Sequence, residues 1–406
     1  MYIIIADDLT GATDTGIQFE KRGIPTTVLV DPPERPLYRQ ASDTALSVNA
    51  STRELGSQDA MQHTQSVCKQ LGIQNSDILF KKVDSLMRGN PPEELEAVMK
   101  AAGRQIALVA PSFPAMERTV ENGMLKLPDG TKKDLLAMFV CRCSASIRHI
   151  PLHDLRTMGQ RLATSLSQES APVICLFDAV TEQDLSLVAE IGQSLVSSPV
   201  YCGSAALAAA IPITPSVHLS SSRPVAQRIL VVTGSRKQET AQQVQQLEEI
   251  CGIHTVRMNP AQLLEGSDSV EIRKAAKALT IFLQTEPGAI LTFDSLFCSQ
   301  TGFGDDRLTD RQLGRQLADK LGQVLELLDP SLYDGLILVG GDTAVAVCSS
   351  LQATKIRLLE EVQCGTPAGL IGDGPSTGLP IVTKSGAFGD ENTLLRAWNY
   401  LRREGT

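Results

Sequence analysis

Short uninterrupted apolar runs alternate with longer stretches of helical spacing along this chain, and many of the runs end in small or acidic residues. Tyr2–Ala6, "YIIIA", is apolar and rich in β-branched residues, and it reads as a buried strand. The same form recurs in "TTVLV" (Thr26–Val30), "TALSVNA" (Thr44–Ala50), "DILFKKV" (Asp77–Val83), "IALVAPSF" (Ile106–Phe113) and "VICLFD" (Val173–Asp178). "LKLPDGTKK" (Leu125–Lys133) carries a Pro-Asp-Gly turn and predicts a hairpin, while "PPEELEAVMK" predicts a helix opened by prolines. Ile211–Gln227 is rich in Pro and Ser and loses all periodicity, so it reads as a linker. Beyond it the alternation restarts with "RILVVTGS" (Arg228–Ser235), "AILTFD" (Ala289–Asp294), "LILVGGDT" (Leu336–Thr343) and "IVTKSGAFGD" (Ile381–Asp390). Lys237–Ile250 has helical spacing and strong helix formers. Strands alternating with helices predict an α/β fold. At 406 residues the chain exceeds one ordinary core, so two α/β domains are expected, residues 1–218 and 219–406.

Composition narrows the partners. The net charge of −9 disfavours nucleic acid and anionic membranes, which both want clustered Lys and Arg. One Trp and 4% aromatic residues leave little for base stacking. No run approaches the roughly 20 apolar residues of a membrane span. The start shows no basic segment leading into a long apolar stretch, so no secretory signal is expected. Nine cysteines without CxxC spacing predict a reduced, cytoplasmic protein with no zinc site. A small anion remains a suitable ligand wherever a few basic residues converge.

Candidate chemistry sits at strand ends. Asp7 and Asp8 follow the first strand, and ligands bind at the carboxyl ends of strands in open α/β sheets. Adjacent residues on an extended strand point to opposite faces, so only one faces a given pocket unless the turn rotates them. Asp8, nearer the turn, is the preferred functional residue, with Asp7 a brace. "FKKVDSLMRGN" places Lys82, Asp84, Ser85 and Arg88 after another strand, and period-two alternation puts Lys82 and Asp84 on one face. Lys and Arg there could neutralise a substrate carboxylate, Arg by a bidentate fork. A salt-bridged strand end, with Asp84 or Ser85 capping the next helix, explains that stretch equally well. "SVNASTREL", with Asn49, Ser51 and Arg53, and "PSFPAMERTVENG", with Arg118, also follow strands. Singly these are surface loops with solvated arginines; four polar strand ends in one half point to a polar, anionic small molecule. In the second half "VVTGSR", "LVGGDTA" and "TKSGAFGDENTL" put glycine at strand ends, where backbone N–H groups can cradle phosphate. Each alone is an ordinary turn; together they favour a nucleotide. The chain lacks GxxxxGK[ST] and has no GxGxxG after either opening strand, which argues against a standard P-loop enzyme and a dinucleotide fold.

In this order the motifs resemble the four-carbon acid sugar kinase family. "ADDLTGATDTG" matches its opening motif without gaps, and "KKVDSLMRG" is similar to its K-x-D-S-T-L-R-G, with Leu86 in place of Thr and Met87 in place of Leu. "PSFPAMERTVENG", "GSAALA", "VTGS", "GGDT" and "KSGAFGD" follow in family order, with Ala387 replacing a usual Gly. The resemblance spans nearly the whole chain. It implies an N-terminal sugar-acid-binding domain, a C-terminal ATP-binding domain, and ATP-dependent phosphorylation of O4 of D-threonate, D-erythronate or 3-oxo-tetronate, D-threonate being favoured. It further implies a site with Asp8 or Asp84 as the group that accepts or orients the O4 proton. Asp7, Arg53, Lys82, Ser85 and Arg88 fall on the substrate side. Ser235, Gly340, Gly341, Asp342, Thr343 and Gly386 fall on the ATP side. Mg²⁺ would bridge the phosphates, with Asp342 placing it through water and no direct protein metal ligand assigned. Oligomeric state stays open, a homodimer among the options. The alternative is a non-catalytic sugar-acid-binding protein, which would bind the acid without consuming ATP.

Overall fold

The computed structural model describes residues 1–37, 43–213, 225–264, 268–294, 310–386 and 388–403. The chain divides into two compact units, Met1–His218 and Leu219–Thr406. Both the junction expected at 218/219 and the core of the Pro/Ser-rich stretch lie outside the described residues, as does Ala387.

In the first unit the strands are β1 (Tyr2–Ala6), β2 (Thr26–Leu29), β3 (Ala45–Asn49), β4 (Ile78–Lys82), β5 (Ile106–Ala110), β6 (Thr119–Glu121), β7 (Met124–Lys126), β8 (Lys132–Asp134), β9 (Ser146–Ile150), β10 (Val173–Phe177) and β11 (Val200–Gly203). Eight form a parallel sheet in the order β2-β3-β1-β4-β11-β5-β10-β9. The apolar runs are continuous because both faces of this sheet are covered. Ile4, Phe80, Leu108 and Cys175 enter one core, and their chain neighbours Ile3, Ile5, Leu79, Val109 and Ile174 enter the other. Helix α1 (Leu9–Glu20) starts on Asp8, whose carboxylate accepts from the Gly11 N–H. Helix α2 (Ser57–Leu71) ends at a left-handed Gly72, and α3 (Pro91–Ala102) has proline in its first turn and a left-handed Gly103 after its last. The expected hairpin is β7–β8, extended by β6 into a small antiparallel sheet.

The second unit contains β12 (Ile229–Thr233), β13 (His254–Met258), β14 (Gly288–Phe293), β15 (Gly335–Val339), β16 (Lys355–Gln363), β17 (Thr366–Ile371) and β18 (Pro380–Lys384), in the order β13-β14-β12-β15-β18-β17-β16. β12 to β15 and β18 are parallel; β16 and β17 form an antiparallel hairpin at one side. Val231, Ile290, Ile337 and Val382 share a core with the helices Gln238–Cys251 and Thr393–Arg402.

One local expectation is corrected, and a conditional one meets its condition. β4 ends at Lys82, and the chain turns through Asp84 toward a left-handed Met87, so alternation does not carry Lys82 and Asp84 onto one strand face. β1 likewise ends at Ala6, and the bend that follows supplies the rotation that the sequence leaves open, bringing Asp7 and Asp8 to a single partner.

Candidate active site

The chain order reverses beside β1, with β3 on one flank and β4 on the other, and the loops leaving these three strands meet at their carboxyl ends. The backbone carbonyl of Asp7 accepts the N–H groups of Thr52 and Arg53, at 3.1 and 3.2 Å. That fastens the loop after β3 to the end of β1. Asn49 supports the same loop, donating to Val30 O at 2.8 Å and accepting from Ser51 N–H at 2.9 Å.

Arg53 is the hub. Its Nε and Nη2 donate to Asp7 at 2.7 and 2.9 Å, its Nη1 and Nη2 donate to Asp8 at 2.6 and 2.9 Å, and Nη2 lies 3.8 Å from Asp84 Oδ1. Asp7 is only 3% exposed. Burial alone raises its pKa, but Arg53, with Lys81 and Lys82, outweighs burial and holds it below the ordinary carboxylate range. Asp8 is more open, its side chain 20% exposed, and it also accepts from Thr10 Oγ1 and Gly11 N–H. Asp84 is saturated: Arg88 donates to it through Nε and Nη2 at 2.7 and 2.8 Å, and the N–H groups of Leu86 and Arg88 add two bonds. Against the raising effect of burial, Arg88 and Arg53 hold Asp84 well below the usual range. Lys82 donates to Val83 O at 2.7 Å, and Ser85 accepts from Arg118 Nη1. The cations Arg53, Lys82, Arg88 and Arg118 thus outnumber the carboxylates Asp7, Asp8 and Asp84, which suits an anionic ligand.

Three contributors carried no assignment from the sequence. A Cβ on Gly11 would stand 2.7 Å from Asp8 Oδ1 and 3.3 Å from Lys82 Cγ, so glycine lets these two side chains approach. Lys81 and Glu94 form a fully buried pair at 2.8 Å behind Asp7; burial raises Glu94, while Glu94 and Asp7 together raise Lys81 against its own burial. Alternation does turn Lys81 away from Lys82 and into the sheet's interior, but nothing in "PPEELEAVMK" marks Glu94 as its partner.

In the second unit the turns after the adjacent strands β12, β15 and β18 gather at one end of the sheet. Gly234 N–H donates to Thr343 Oγ1 at 3.1 Å, and Gly340 N–H donates to Lys384 O at 2.8 Å. Thr240 Oγ1 lies 2.9 Å from Ser235 Oγ and donates to Gly386 O at 2.8 Å. A Cβ on Gly386 would meet Ser235 Oγ at 2.5 Å, and Gly340 has φ +105, open to glycine alone. Ser235, Gly340, Gly341, Thr343 and Gly386 therefore converge at the ends of these three strands. Asp342 is exposed in the first turn of the helix Gly341–Ser350.

A parallel sheet with a charged cluster at its strand ends, and a second unit with glycine turns at its own, make a two-domain protein suited to a small anion and a phosphate compound. Comparison with known proteins agrees: residues 2–211 match the family described as "Sugar-binding N-terminal domain" and residues 230–394 the one described as "Nucleotide-binding C-terminal domain". The chain is 29% identical to a D-threonate kinase of Salmonella typhimurium, over 98% of each chain. It is 30% identical to a D-threonate kinase of Bordetella bronchiseptica, over 98% of this chain and 97% of that one. A crystal structure from Salmonella typhimurium LT2, of a protein provisionally called a tRNA synthase, aligns with TM-score 0.77 at 22% identity over 98% of each chain, which speaks for the fold alone. The chain belongs to the four-carbon acid sugar kinase family. Among the described residues no helix is long and apolar enough to cross a membrane.

Proposed function

We propose that this kinase uses ATP to phosphorylate the O4 hydroxyl of a four-carbon sugar acid, with D-threonate the favoured substrate. The observation that carries the reading is the Arg53-centred cluster at the ends of β1, β3 and β4, where cations exceed carboxylates and one carboxylate, Asp8, stays partly open. Asp8 accepts or orients the O4 proton. As O4 bonds to the γ-phosphorus, the bond from phosphorus to the bridging oxygen breaks and ADP leaves with the electron pair. The O4 proton passes by way of Asp8 to solvent. Arg53, Lys82, Ser85 and Arg88 hold the acid's carboxylate and hydroxyls. Asp7, buried with both oxygens on Arg53, fixes that guanidinium rather than touching the acid. Asp84 sets Arg88 and its loop, and its side chain is 9% exposed against 20% for Asp8, which leaves Asp8 the more accessible base. Ser235, Gly340, Gly341, Thr343 and Gly386 cradle the ATP phosphates.

Among the described residues no cluster of three or more His, Cys, Asp or Glu side chains could hold a metal. Magnesium binds through substrate phosphates, waters and one or two carboxylates, and Asp342 is the carboxylate at hand, acting through water. Bound there, the ion would neutralise charge on the phosphates.

Asp8→Asn tests the base. Asparagine caps helices as well as aspartate, so the fold should survive, while turnover should fall by about 10²–10⁴-fold. Near-normal turnover would remove Asp8 from this role. An ADP-release assay across D-threonate, L-threonate, D-erythronate, L-erythronate and 3-oxo-tetronate, with the phosphate located by NMR, names the substrate and the oxygen; acid binding without ADP release would favour the binding-protein alternative.

A further inference from the structure

The second unit holds a buried cation with no task in the account above. Lys384 ends β18 and is 0% exposed. Its Nζ donates to the Ser385 carbonyl at 2.8 Å, and no carboxylate among the described residues pairs with it. An ammonium carries three N–H donors, so most of its capacity is unspent. Lys81, also fully buried, behaves differently, with Glu94 at 2.8 Å. Burying a charge without a counter-ion is unfavourable and calls for a reason.

Position supplies one. Val382, two residues earlier, faces the core under the helices Gln238–Cys251 and Thr393–Arg402, and alternation places Lys384 on the same side. At that strand end lie Ser235 Oγ, Thr240 Oγ1 and the cleared space over Gly386, while Gly340 N–H is tied to the Lys384 carbonyl. A carboxylate that acts on it at longer range is Glu239, in the first turn of the Gln238–Cys251 helix. The strand end that carries this ammonium therefore stands beside the glycine turns after β12 and β15, and no carboxylate among the described residues pairs with it.

We propose that Lys384 contacts the phosphate chain of the bound nucleotide, supplying the positive charge that a P-loop lysine supplies in folds that have one. This rests on the ATP reading above. It assigns a charge-bearing side chain to a site otherwise built from backbone and hydroxyls. A purely structural Lys384, anchoring the Ser385 carbonyl, is the competing account.

The two separate in a ligand series on wild type, Lys384→Met and Lys384→Gln, with adenosine, ADP, ATP and tripolyphosphate titrated by calorimetry in the presence of Mg²⁺. Methionine keeps length and apolar bulk; glutamine keeps a donor but no charge. Thermal unfolding confirms that each variant is folded, and either one suffices. The expected result is unchanged adenosine affinity, a smaller loss for ADP, and a loss of about 10- to 100-fold for ATP and tripolyphosphate. KM for ATP should rise in parallel. Equal losses for adenosine and ATP, or no loss for ATP, would overturn the proposal while wild-type ATP binding leaves the kinase reading standing. Wild type that binds no ATP would overturn both.

Discussion

Arg53→Met removes the hub and leaves the aliphatic stem in place. Two carboxylates lose their partner, but unequally. Asp8 has a side chain 20% exposed, so water can replace part of what it loses. Asp7 is 3% exposed and retains only the longer-range influence of Lys81 and Lys82. Removing one member of a buried ion pair typically costs about 3–5 kcal/mol, and Asp7 should dominate that sum. For a unit of this size 1 kcal/mol moves Tm by about 2–4 °C, so the variant should melt about 6–20 °C below wild type at pH 7. The pH dependence makes the argument specific. In wild type the folded pKa of Asp7 lies below its ordinary 3.8, so its contribution is fully present above 3.8 and is lost as pH falls through the lower folded value. In the variant burial prevails and raises Asp7 instead, so the penalty grows as pH rises past 3.8. The gap between the two proteins should therefore be widest at pH 7, shrink near pH 3.5 as the variant's penalty goes, and close only as pH falls through the lower folded value of wild type. Asp7→Asn in the Arg53→Met background should recover most of the loss at pH 7, because asparagine carries no charge to strand. Far-UV circular dichroism follows the unfolding; Trp398, the sole tryptophan and a residue of the second unit, serves as an internal reference by fluorescence. A gap of equal size at both pH values, or no recovery with asparagine, would refute the assignment of Asp7 as the buried charge that Arg53 neutralises.

Two more outcomes follow from particular atoms. Gly11→Ala puts a Cβ 2.7 Å from Asp8 Oδ1 and 3.4 Å from Lys82 Nζ; displaced groups should lower kcat by about 100-fold with little change in ATP affinity, and unchanged kcat would show that this approach is idle. Burial pushes Lys384 down to about 8 from an ordinary 10.5, Glu239 opposing, so between those values the unfolded chain holds a proton that the folded one has released. Nucleotide-free wild type should then gain stability relative to Lys384→Met as pH rises through that window, by on the order of 3 kcal/mol; parallel urea-denaturation curves for the two proteins would contradict it.

The strands that could be read from the sequence were those whose side chains are buried on both faces. Ile3-Ile4-Ile5 and Leu336-Ile337-Leu338 announce themselves because a central parallel strand has no solvent side. β9, "SIRHI", and β13, "HTVRM", lie at sheet margins and mix charge with apolar residues. β16, "KIRLLEEVQ", belongs to an antiparallel hairpin with an open face, and its glutamates disguise it. β11 is only Val200–Gly203 and was hidden in front of "GSAALA". The site was legible as residue types at strand ends, not as a wiring diagram. Adjacent aspartates look divergent on paper, yet a bend immediately after Ala6 lets one guanidinium hold both. Buried pairs leave the least trace: Glu94 falls among helix formers at positions that resemble a solvated face, and only the packing of α3 against the sheet shows that it meets Lys81.

The two ends of the reaction place opposite demands on cations, and the chain meets them with different residues. Arg53 spends four of its five N–H donors on Asp7 and Asp8, and Arg88 commits two to Asp84. Arg53 thus keeps one donor and Arg88 three for a sugar acid, and both offer fixed geometry, because each is already held in one orientation before ligand arrives. That suits a small monoanion whose hydroxyl must be aimed within a few tenths of an ångström. A triphosphate brings several negative charges and needs neutralisation more than aim. Lys384, buried and unpaired, meets that need at the expense of the nucleotide-free fold, and binding relieves the same penalty. At the same ATP concentration, ATP should accordingly stabilise wild type against unfolding by more than it stabilises Lys384→Met, since only in wild type does binding also discharge an uncompensated buried charge, which tightens Kd.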